Sequence, residues 1–239
     1  PVIIHESDMT PGLANKIAMS AATTICHSFP ETANYLPKGK ALLTGSPIRK
    51  ELREGDKLAG LNMCGFTANK PIIMVIGGSL GAVAVNEAIR SSLDTLLKKY
   101  QIVHLCGKGK TDESLNNRPG YKQYEYIKAE LKDLFAMADV IVSRAGANAI
   151  CEIVALRKPS ILIPLSARAS RGDQLLNAAS FKKQGFSEVI EEEELTNELL
   201  VDTINSVYEN RDKYINAIDN AGTTDAVQTI LDLIDKTVK

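Results

Sequence analysis

The chain has 239 residues, 44% of them hydrophobic and 24% charged, and its formal net charge is −1. These values are typical of a soluble globular protein and give no indication of a nucleic-acid partner. No apolar run approaches the roughly 20 residues that a membrane-spanning helix needs, and no stretch has the pattern of a signal peptide. The four cysteines are far apart and form no CxxC pair, which argues against a zinc site or a disulfide framework and favours a reducing cytosol.

Short apolar runs alternate with longer helical patterns along the chain. The runs are continuously apolar, as expected of strands buried on both faces. They are Val2–Ile4, Ile72–Ile76, Ile102–Leu105, Val140–Val142 and Ile161–Leu165. The helical patterns cover Ala82–Lys98, Glu130–Ala138, Ala147–Leu156, Asp173–Gln184 and Asp225–Val238. This alternation predicts an α/β protein with a doubly wound parallel sheet.

Three further segments bear on the organisation of the chain. The opening stretch "PVIIHES" has the pattern of a buried strand, so we expect the chain to be part of a longer protein. The segment "LTGSPIRKELREGDK" at 43–57 is predicted to link two α/β units, because Gly45 and Pro47 interrupt it and charged residues follow. The run "EEEE" at 191–194 is interpreted as a solvated turn before a helix.

The stretch "MVIGGSLGAVAV" passes from a strand through Gly77, Gly78, Ser79 and Gly81 into a helix. It lacks the Gly-Lys-Ser/Thr ending of a Walker A loop and does not fit G-x-G-x-x-G. Free N–H groups and the positive dipole end at a helix N-terminus favour an anion. The alternative is a tight turn in which glycine only relieves strain.

A second turn, "SRAGANAICE" at 143–152, repeats this strand, small-residue, helix pattern. Small residues around Gly146 and Ala147 leave backbone N–H groups open to an anion. Glu152 follows Asn148 by four residues and therefore shares its helix face. Its carboxylate could accept two hydrogen bonds from a vicinal diol such as a ribose. The alternative is a surface carboxylate without a ligand.

A third turn, at 166–174, places Asp173 and Gln174 at the start of a helix. These side chains could bind sugar hydroxyls, or Asp173 could simply cap the helix. All three turns follow parallel strands at their carboxyl ends, where open α/β sheets bind ligands, so together they predict a nucleotide-sugar site. No Asp-x-Asp motif is present and the three histidines are scattered, with His104 placed in a strand as a packing residue. We therefore expect no metal and no cofactor, with phosphate charge met by helix N-termini and arginine.

Five motifs, in order, resemble those of the glycosyltransferase family 28 enzymes of bacterial peptidoglycan synthesis. They are "HESDMTPGLANKIA", "TGSPIR", "GGSLGA", "ADVIVSRAGANAICEI" and "ASRGDQLLNA". The resemblance implies the GT-B fold, with two Rossmann-like doubly wound parallel-sheet domains, the N-terminal one incomplete. On this basis we expect the end of the acceptor-side domain at 1–45, a UDP-GlcNAc-binding domain at 46–222 and a C-terminal helix at 223–239.

The resemblance also implies an inverting transfer of N-acetylglucosamine (GlcNAc) from UDP-GlcNAc to undecaprenyl-pyrophosphoryl-MurNAc-pentapeptide (lipid I), which forms lipid II. By motif, the two small-residue turns would bind the diphosphate, and Arg49 would lie beside the nucleotide. The Ile127 backbone would bind the uracil edge, and Glu152 would bind the ribose. Asp173 and Gln174 would bind the GlcNAc hydroxyls. The implied substrate-binding residues are Arg49, Gly77, Gly78, Ser79, Gly81, Ile127, Gly146, Ala147, Asn148, Glu152, Asp173 and Gln174.

The chain departs from the family pattern at three points. Asp8 stands where the family has Asn, and Asp173 stands where many members have Gln. The family's "GGTGGH" loop, which carries the leading candidate for the general base, has no match here. The catalytic residue is therefore unassigned. His5 and Glu6 are candidates within the chain, with a structural role as the alternative, and we expect donor binding without transfer by this chain alone.

The implied partners are UDP-GlcNAc and lipid I, without nucleic acid. We expect peripheral contact with the cytoplasmic face of the bacterial cell membrane, made through the mostly missing N-terminal domain, and a soluble chain. Two alternatives stay open: a UDP-sugar epimerase-like enzyme of the related two-domain fold, and a non-catalytic nucleotide-sugar-binding domain. Product analysis without acceptor distinguishes the epimerase.

Overall fold

The protein was analysed as a computed structural model that describes residues 1–78, 82–167, 172–222 and 225–238. The described chain forms two parallel sheets. The smaller has the order β1-β2-β3, with β1 at Ile3–Glu6, β2 at Thr24–His27 and β3 at Ala41–Leu43. Helix α1, Leu13–Ala18, lies between β1 and β2 in the chain.

The larger sheet has six parallel strands in the order β6-β5-β4-β7-β8-β9. Their bounds are β4 Ile72–Ile76, β5 Gln101–Leu105, β6 Tyr121–Tyr124, β7 Val140–Ser143, β8 Ser160–Leu162 and β9 Ser187–Val189. The chain proceeds from β4 outward through β5 and β6, then crosses back and proceeds outward through β7. The predicted doubly wound sheet is thereby confirmed, and its topological switch point lies between β4 and β7.

Helices cover both faces of the larger sheet. They are α2 Lys57–Cys64, α3 Val83–Ser91, α4 Leu93–Lys99, α5 Leu131–Met137, α6 Ala147–Ala155, α7 Asp173–Lys183, α8 Asn197–Glu209 and α9 Arg211–Ala221. Helix α10, Ala226–Val238, follows at the end of the described chain. The single helix predicted over Ala82–Lys98 is two helices, because Ser92, with ψ of −2°, ends α3 and begins α4. No helix in the described ranges combines the length and apolar character needed to cross a bilayer.

The central strand β4 divides its side chains between two hydrophobic clusters. Ile73 and Val75 pack with Ile89 of α3 and with α8, whereas Ile72 and Met74 pack with Leu134 of α5 and with α2. All four β4 side chains are at most 1% exposed. Burying one such side chain contributes about 1.5–3 kcal/mol, so two-sided burial explains why the strand has no polar alternation.

The sequence prediction missed β2, β3, β6 and β9. These strands are three or four residues long, and β6 and β9 form the edges of the larger sheet. Strand β6, "YKQY", alternates buried and half-buried positions, unlike the continuously apolar runs that were sought. The strand expected to reach Leu165 ends at Leu162, and Pro164, which follows, has no N–H to donate.

The predicted linker contains a short 3₁₀ turn at Lys50–Glu54 and leads into α2, which Asp56 caps. Helix α2 lies directly on α5, because a Cβ at Gly60 would fall 2.5 Å from the Asp133 carbonyl oxygen. The "EEEE" run is confirmed as a turn, Glu192–Glu194, before α8. The domain boundaries at 45/46 and 222/223 stay predictions.

Candidate functional site

The turn after β4 opens the site at the switch point. Gly77 is buried and donates its N–H to the Leu105 carbonyl oxygen at 3.3 Å. Gly78 is exposed and has φ of +81°, a left-handed conformation that glycine adopts without strain. Ser79 and Gly81, which the sequence also assigned to this turn, lie outside the described residues.

The N-terminus of α6 lies beside it, at the end of β7. Gly146 is the N-cap residue and provides no side-chain cap. A Cβ at this position would meet no atom of the described structure within 4 Å, so packing does not require a glycine here. Ala147 is buried and Asn148 exposed in the first turn. An uncapped helix start with open space before it has the properties of an anion site.

Arg49 and Glu152 form an ion pair across the site. Arg49 donates from Nη2 at 3.0 Å and from Nε at 3.3 Å to the same oxygen, Oε1, of Glu152. The Glu152 side chain is 20% exposed and that of Arg49 57%. The two residues are 103 positions apart in the sequence, and the motif resemblance assigned both to one nucleotide. The fold brings them into contact. The second carboxylate oxygen, Oε2, has no partner among the described residues.

The start of α7 supplies Asp173 and Gln174. Gln174 Oε1 accepts hydrogen bonds from the backbone N–H groups of Ala145, at 3.3 Å, and Leu165, at 3.0 Å. Asp173 accepts from the Thr10 hydroxyl at 3.3 Å. Both residues reach the predicted edge of the sheet, but each also binds protein groups that the sequence did not indicate.

Ile127 follows β6 in the loop that leads to α5. Its side chain is buried in the cluster that contains Ile153 of α6, with Ile48 of the linker packed against it. In the described part of the chain, its backbone N–H and carbonyl have no hydrogen-bond partner. The neighbouring Tyr126 is 59% exposed. The loop is thus held near α6 while its backbone groups stay available to a ligand.

The side chains of His5 and Glu6, the two candidate catalytic residues, are hydrogen-bonded within the protein, Glu6 to the loop that follows β1 and His5 to Gly45. The buried Glu6 carboxylate accepts from the N–H groups of Asp8 and Gly12 and from the Asn15 amide, at 2.8–3.0 Å. His5 Nε2 donates to the Gly45 carbonyl oxygen at 3.0 Å. These contacts give both residues a structural role in the first sheet.

Two further residues were not given a role from the sequence. Arg144 donates to the carbonyl oxygens of Ile163 and Pro164 at 3.0 and 3.2 Å and pairs with Glu192, so its charge is used within the protein. Asn177 of α7 is fully buried and makes three hydrogen bonds, two to the loop after β1 and one to Ala145. The available signal was an amide one helical turn after Gln174, in an otherwise apolar or small stretch.

On the other side of β4, a buried network is centred on His104 of β5. Its Nε2–H donates to Asn86 Oδ1 and its Nδ1 accepts from the Tyr121 hydroxyl, both at 2.9 Å. Burial, with a smaller effect of the Arg90 charge, lowers the pKa of His104 to about 3. The ring is therefore neutral at physiological pH, and its prediction as a packing residue is confirmed.

A cavity of about 650 Å³ lies next to the ion pair, between the smaller sheet, the linker and α6. It is lined by Arg49 and by Cys151 and Val154 of α6, but not by Glu152. Burial raises the pKa of the Cys151 thiol to about 12, so the cavity wall carries no thiolate at neutral pH. Within the described residues, no three His, Cys, Asp or Glu side chains are grouped so as to hold a metal ion.

Comparison with known proteins assigns this arrangement to a family. Residues 72–234 match the glycosyltransferase family 28 C-terminal domain, which is more than half of the chain. The chain belongs to glycosyltransferase family 28. The matched family 28 region contains the whole larger sheet and all the predicted substrate-binding residues except Arg49.

Named family 28 relatives are similar over almost the whole chain. Proteins of Lachnoclostridium phytofermentans and Lachnospira eligens are 61% and 60% identical to it over 99% and 98% of its length, and a Clostridium botulinum protein is 53% identical over 100%. All three bear the name UDP-N-acetylglucosamine--N-acetylmuramyl-(pentapeptide) pyrophosphoryl-undecaprenol N-acetylglucosamine transferase. The chain spans about two thirds of their lengths, 66%, 66% and 68%.

Solved structures support the predicted fold class. The crystal structure of Acinetobacter baumannii MurG is similar to this chain, with a TM-score of 0.75 and 25% sequence identity. The match covers 99% of this chain and 67% of the MurG chain. The calicheamicin glycosyltransferase CalG4 matches 90% of the chain, with a TM-score of 0.62 and 12% identity, and is covered to 53%. The second likeness concerns the fold alone. The prediction of a GT-B glycosyltransferase fold is confirmed.

Proposed function

We propose that this chain is the UDP-GlcNAc-binding half of a glycosyltransferase that transfers GlcNAc to lipid I. One structural observation carries the proposal: the uncapped start of α6 and the Arg49–Glu152 pair converge at the switch point of a doubly wound sheet. The names of relatives that are 53–61% identical supply the substrate class.

The nucleotide would be bound from three directions. The N–H groups of Ala147 and Asn148, together with the turn at Gly77 and Gly78, would meet the diphosphate. The motif assigns Ser79 and Gly81 to the same ligand group. Glu152, held through Oε1 by Arg49, would accept the ribose hydroxyls on Oε2. The unpaired backbone of Ile127 would bind the uracil edge.

The sugar would lie against the start of α7. Gln174 Oε1 already accepts two backbone N–H groups, so its Nε2 is the group left to donate to a GlcNAc hydroxyl. Asp173 is placed next to it and can accept from a second hydroxyl. This division of roles assigns uridine diphosphate to α6 and the linker, and sugar discrimination to α7.

The reaction would be a direct displacement at the anomeric carbon. The acceptor hydroxyl oxygen forms a bond to that carbon while the bond to the UDP oxygen breaks, and UDP leaves with the electron pair. The α6 N-terminus would stabilise the charge that develops on the diphosphate. A general base must take the hydroxyl proton, and the structural contacts of His5 and Glu6 leave that group unassigned in this chain.

The proposed acceptor places the protein at a membrane. Lipid I is anchored in the bilayer, so we propose peripheral contact with the cytoplasmic face of the bacterial cell membrane, with no nucleic-acid partner. Residues 1–45 would belong to the acceptor side and 46–222 to the donor side, with 223–239 as a C-terminal helix.

Titration calorimetry with UDP-GlcNAc tests the proposal on the 239-residue chain. We expect binding by the unaltered chain and an affinity at least about tenfold lower in Gly146→Ala, because the added methyl occupies the space through which the diphosphate approaches α6. Gly12→Ala is the matched control: Gly12 is also an N-cap residue, with φ of −69° and nothing within 4 Å of a Cβ. Equal affinities in the two variants would contradict the placement of the diphosphate.

The same samples test the epimerase alternative. We expect UDP-GlcNAc to be recovered unchanged when no acceptor is present, and the appearance of a UDP-sugar epimer by chromatography would favour the epimerase.

A further inference from the structure

Asn177 is a fully buried amide in the middle of α7, at the junction of the two sheets. Its Oδ1 accepts from the Met9 N–H at 3.0 Å, and its Nδ2 donates to Asp8 Oδ1 at 3.0 Å and to the Ala145 carbonyl oxygen at 3.3 Å. The first two partners belong to the loop after β1, and the third directly precedes the N-cap of α6. One side chain thus joins the loop of the smaller sheet to the start of the proposed diphosphate helix.

The Ala145 peptide groups are held on both sides by α7. Gln174 accepts the Ala145 N–H, and Asn177, one turn later on the same helix, donates to the Ala145 carbonyl. Because Gly146 has no side chain to fix the start of α6, the direction of its first N–H groups depends on this clamp on the preceding residue. A shift of the clamp would change where those N–H groups point.

The stripe that carries Asn177 also makes contacts that serve only the junction. Asp173, Asn177 and Ser180 share one face of α7. Ser180, 4% exposed, donates to the Glu31 carboxylate at 3.0 Å, and Phe181 packs against Phe29 with ring centroids 5.5 Å apart. Phe29 and Phe181 share a hydrophobic cluster with Ala145, but the Ser180–Glu31 hydrogen bond does not involve Ala145, so Ser180 tests the junction separately from the clamp.

We propose that Asn177 is a positioning residue for donor binding. It sets the α6 N-terminus through the Ala145 carbonyl and couples that helix start to the Asp8–Thr10 loop of the smaller sheet. The inference rests on the proposed function, because it assumes that the α6 N-terminus meets the donor diphosphate. It adds a residue that makes no ligand contact of its own.

Asn177→Ala and Ser180→Ala form the test pair, with UDP-GlcNAc affinity by calorimetry and thermal unfolding measured on each. Asn177→Ala removes three buried hydrogen bonds and Ser180→Ala removes the one to Glu31, so both should lower the melting temperature. We expect the affinity of Asn177→Ala to fall about fivefold, the scale of one buried neutral hydrogen bond, and that of Ser180→Ala to stay within about twofold.

An exchanged pair, Asp8→Asn with Asn177→Asp, separates position from stability further. The new carboxylate can accept from the Met9 N–H and from the amide now at residue 8, but it cannot donate to the Ala145 carbonyl. We expect stability to recover relative to Asn177→Asp alone, while the loss of affinity persists. If Asn177→Ala is too unstable to titrate, this double variant takes its place beside Ser180→Ala.

The outcomes are distinguishable. Absence of UDP-GlcNAc binding by the unaltered chain overturns the proposed function and the inference with it. Binding by the unaltered chain, combined with equal losses of affinity in Asn177→Ala and Ser180→Ala, overturns the inference alone. Recovery of affinity together with stability in the exchanged pair has the same consequence, because it shows that Asn177 acts only as a junction residue.

Discussion

The two sides of strand β4 use buried polar groups in opposite ways. Toward β5, His104 binds the side chains of Asn86 and Tyr121, and Asn86 also donates to the Cys106 carbonyl oxygen, so the network around the His104 ring is closed. Toward β7, Gln174 and Asn177 bind backbone groups of the loops, and the start of α6 is left uncapped. A buried polar cluster therefore does not by itself indicate a ligand site. What distinguishes the β7 side is that its polar side chains orient a backbone with open N–H groups.

The closed side should govern stability and not binding. His104→Ala removes the hydrogen bonds to the Asn86 carbonyl and the Tyr121 hydroxyl and opens a cavity, so we expect a loss of about 3 kcal/mol in the free energy of unfolding. Urea denaturation measures this. UDP-GlcNAc affinity, titrated where the variant is folded, should be unchanged, and a large drop would remove the distinction between the two sides.

The closed side should also make stability depend on pH. The pKa of His104 is about 3 in the folded state and about 6.5 in the unfolded chain, so the unfolded state binds more protons between these values. The free energy of unfolding therefore has its full value above pH 6.5 and decreases as pH falls toward 3. At pH 5 the decrease is about 2 kcal/mol. Denaturation of the unaltered chain and of His104→Gln at pH 8 and pH 5 isolates this contribution; parallel pH profiles would contradict it.

The open side should govern binding and not stability. Glu152→Ala removes the proposed ribose acceptor, and we expect UDP affinity to fall at least about tenfold by calorimetry. The lost ion pair should cost at most about 1 kcal/mol, because Arg49 is largely exposed. Glu209→Ala is the control, because it breaks an exposed ion pair, Lys99–Glu209, that involves no proposed site residue. Unchanged UDP affinity in Glu152→Ala would return Glu152 to a surface role.

Gln174 sharpens the comparison, because it combines a clamp with a proposed sugar contact. Gln174→Glu keeps an oxygen for the Ala145 and Leu165 N–H groups but removes the Nε2 donor. We expect UDP affinity within about threefold of the unaltered chain, with the preference for UDP-GlcNAc over UDP-GalNAc reduced about fivefold. Gln174→Ala, which removes both groups, should weaken all three ligands, and equal behaviour of the two variants would show that only the clamp matters.

The sequence by itself determined the central strands of the larger sheet and predicted a ligand site at their carboxyl ends. Strands buried on both faces must be continuously apolar, so β4, β5 and β7 were found to within one residue at each end. Small residues at 77–78 and 145–146 marked two of the turns at the carboxyl edge. The short strands β2, β3, β6 and β9 were missed, because brief or half-buried segments leave no periodicity to read.

Only the tertiary structure decided which side chains meet. Arg49 and Glu152 are far apart in sequence, and their ion pair follows from packing the linker against α6. Whether Gln174 binds sugar, backbone or both depends on how α7 approaches Ala145 and Leu165. The only signal for Asn177 was an amide one helical turn after Gln174, and it did not identify the partners of that amide, because periodicity reports burial and turn composition reports backbone freedom. The partner of a buried amide is fixed by long-range packing, which neither pattern encodes.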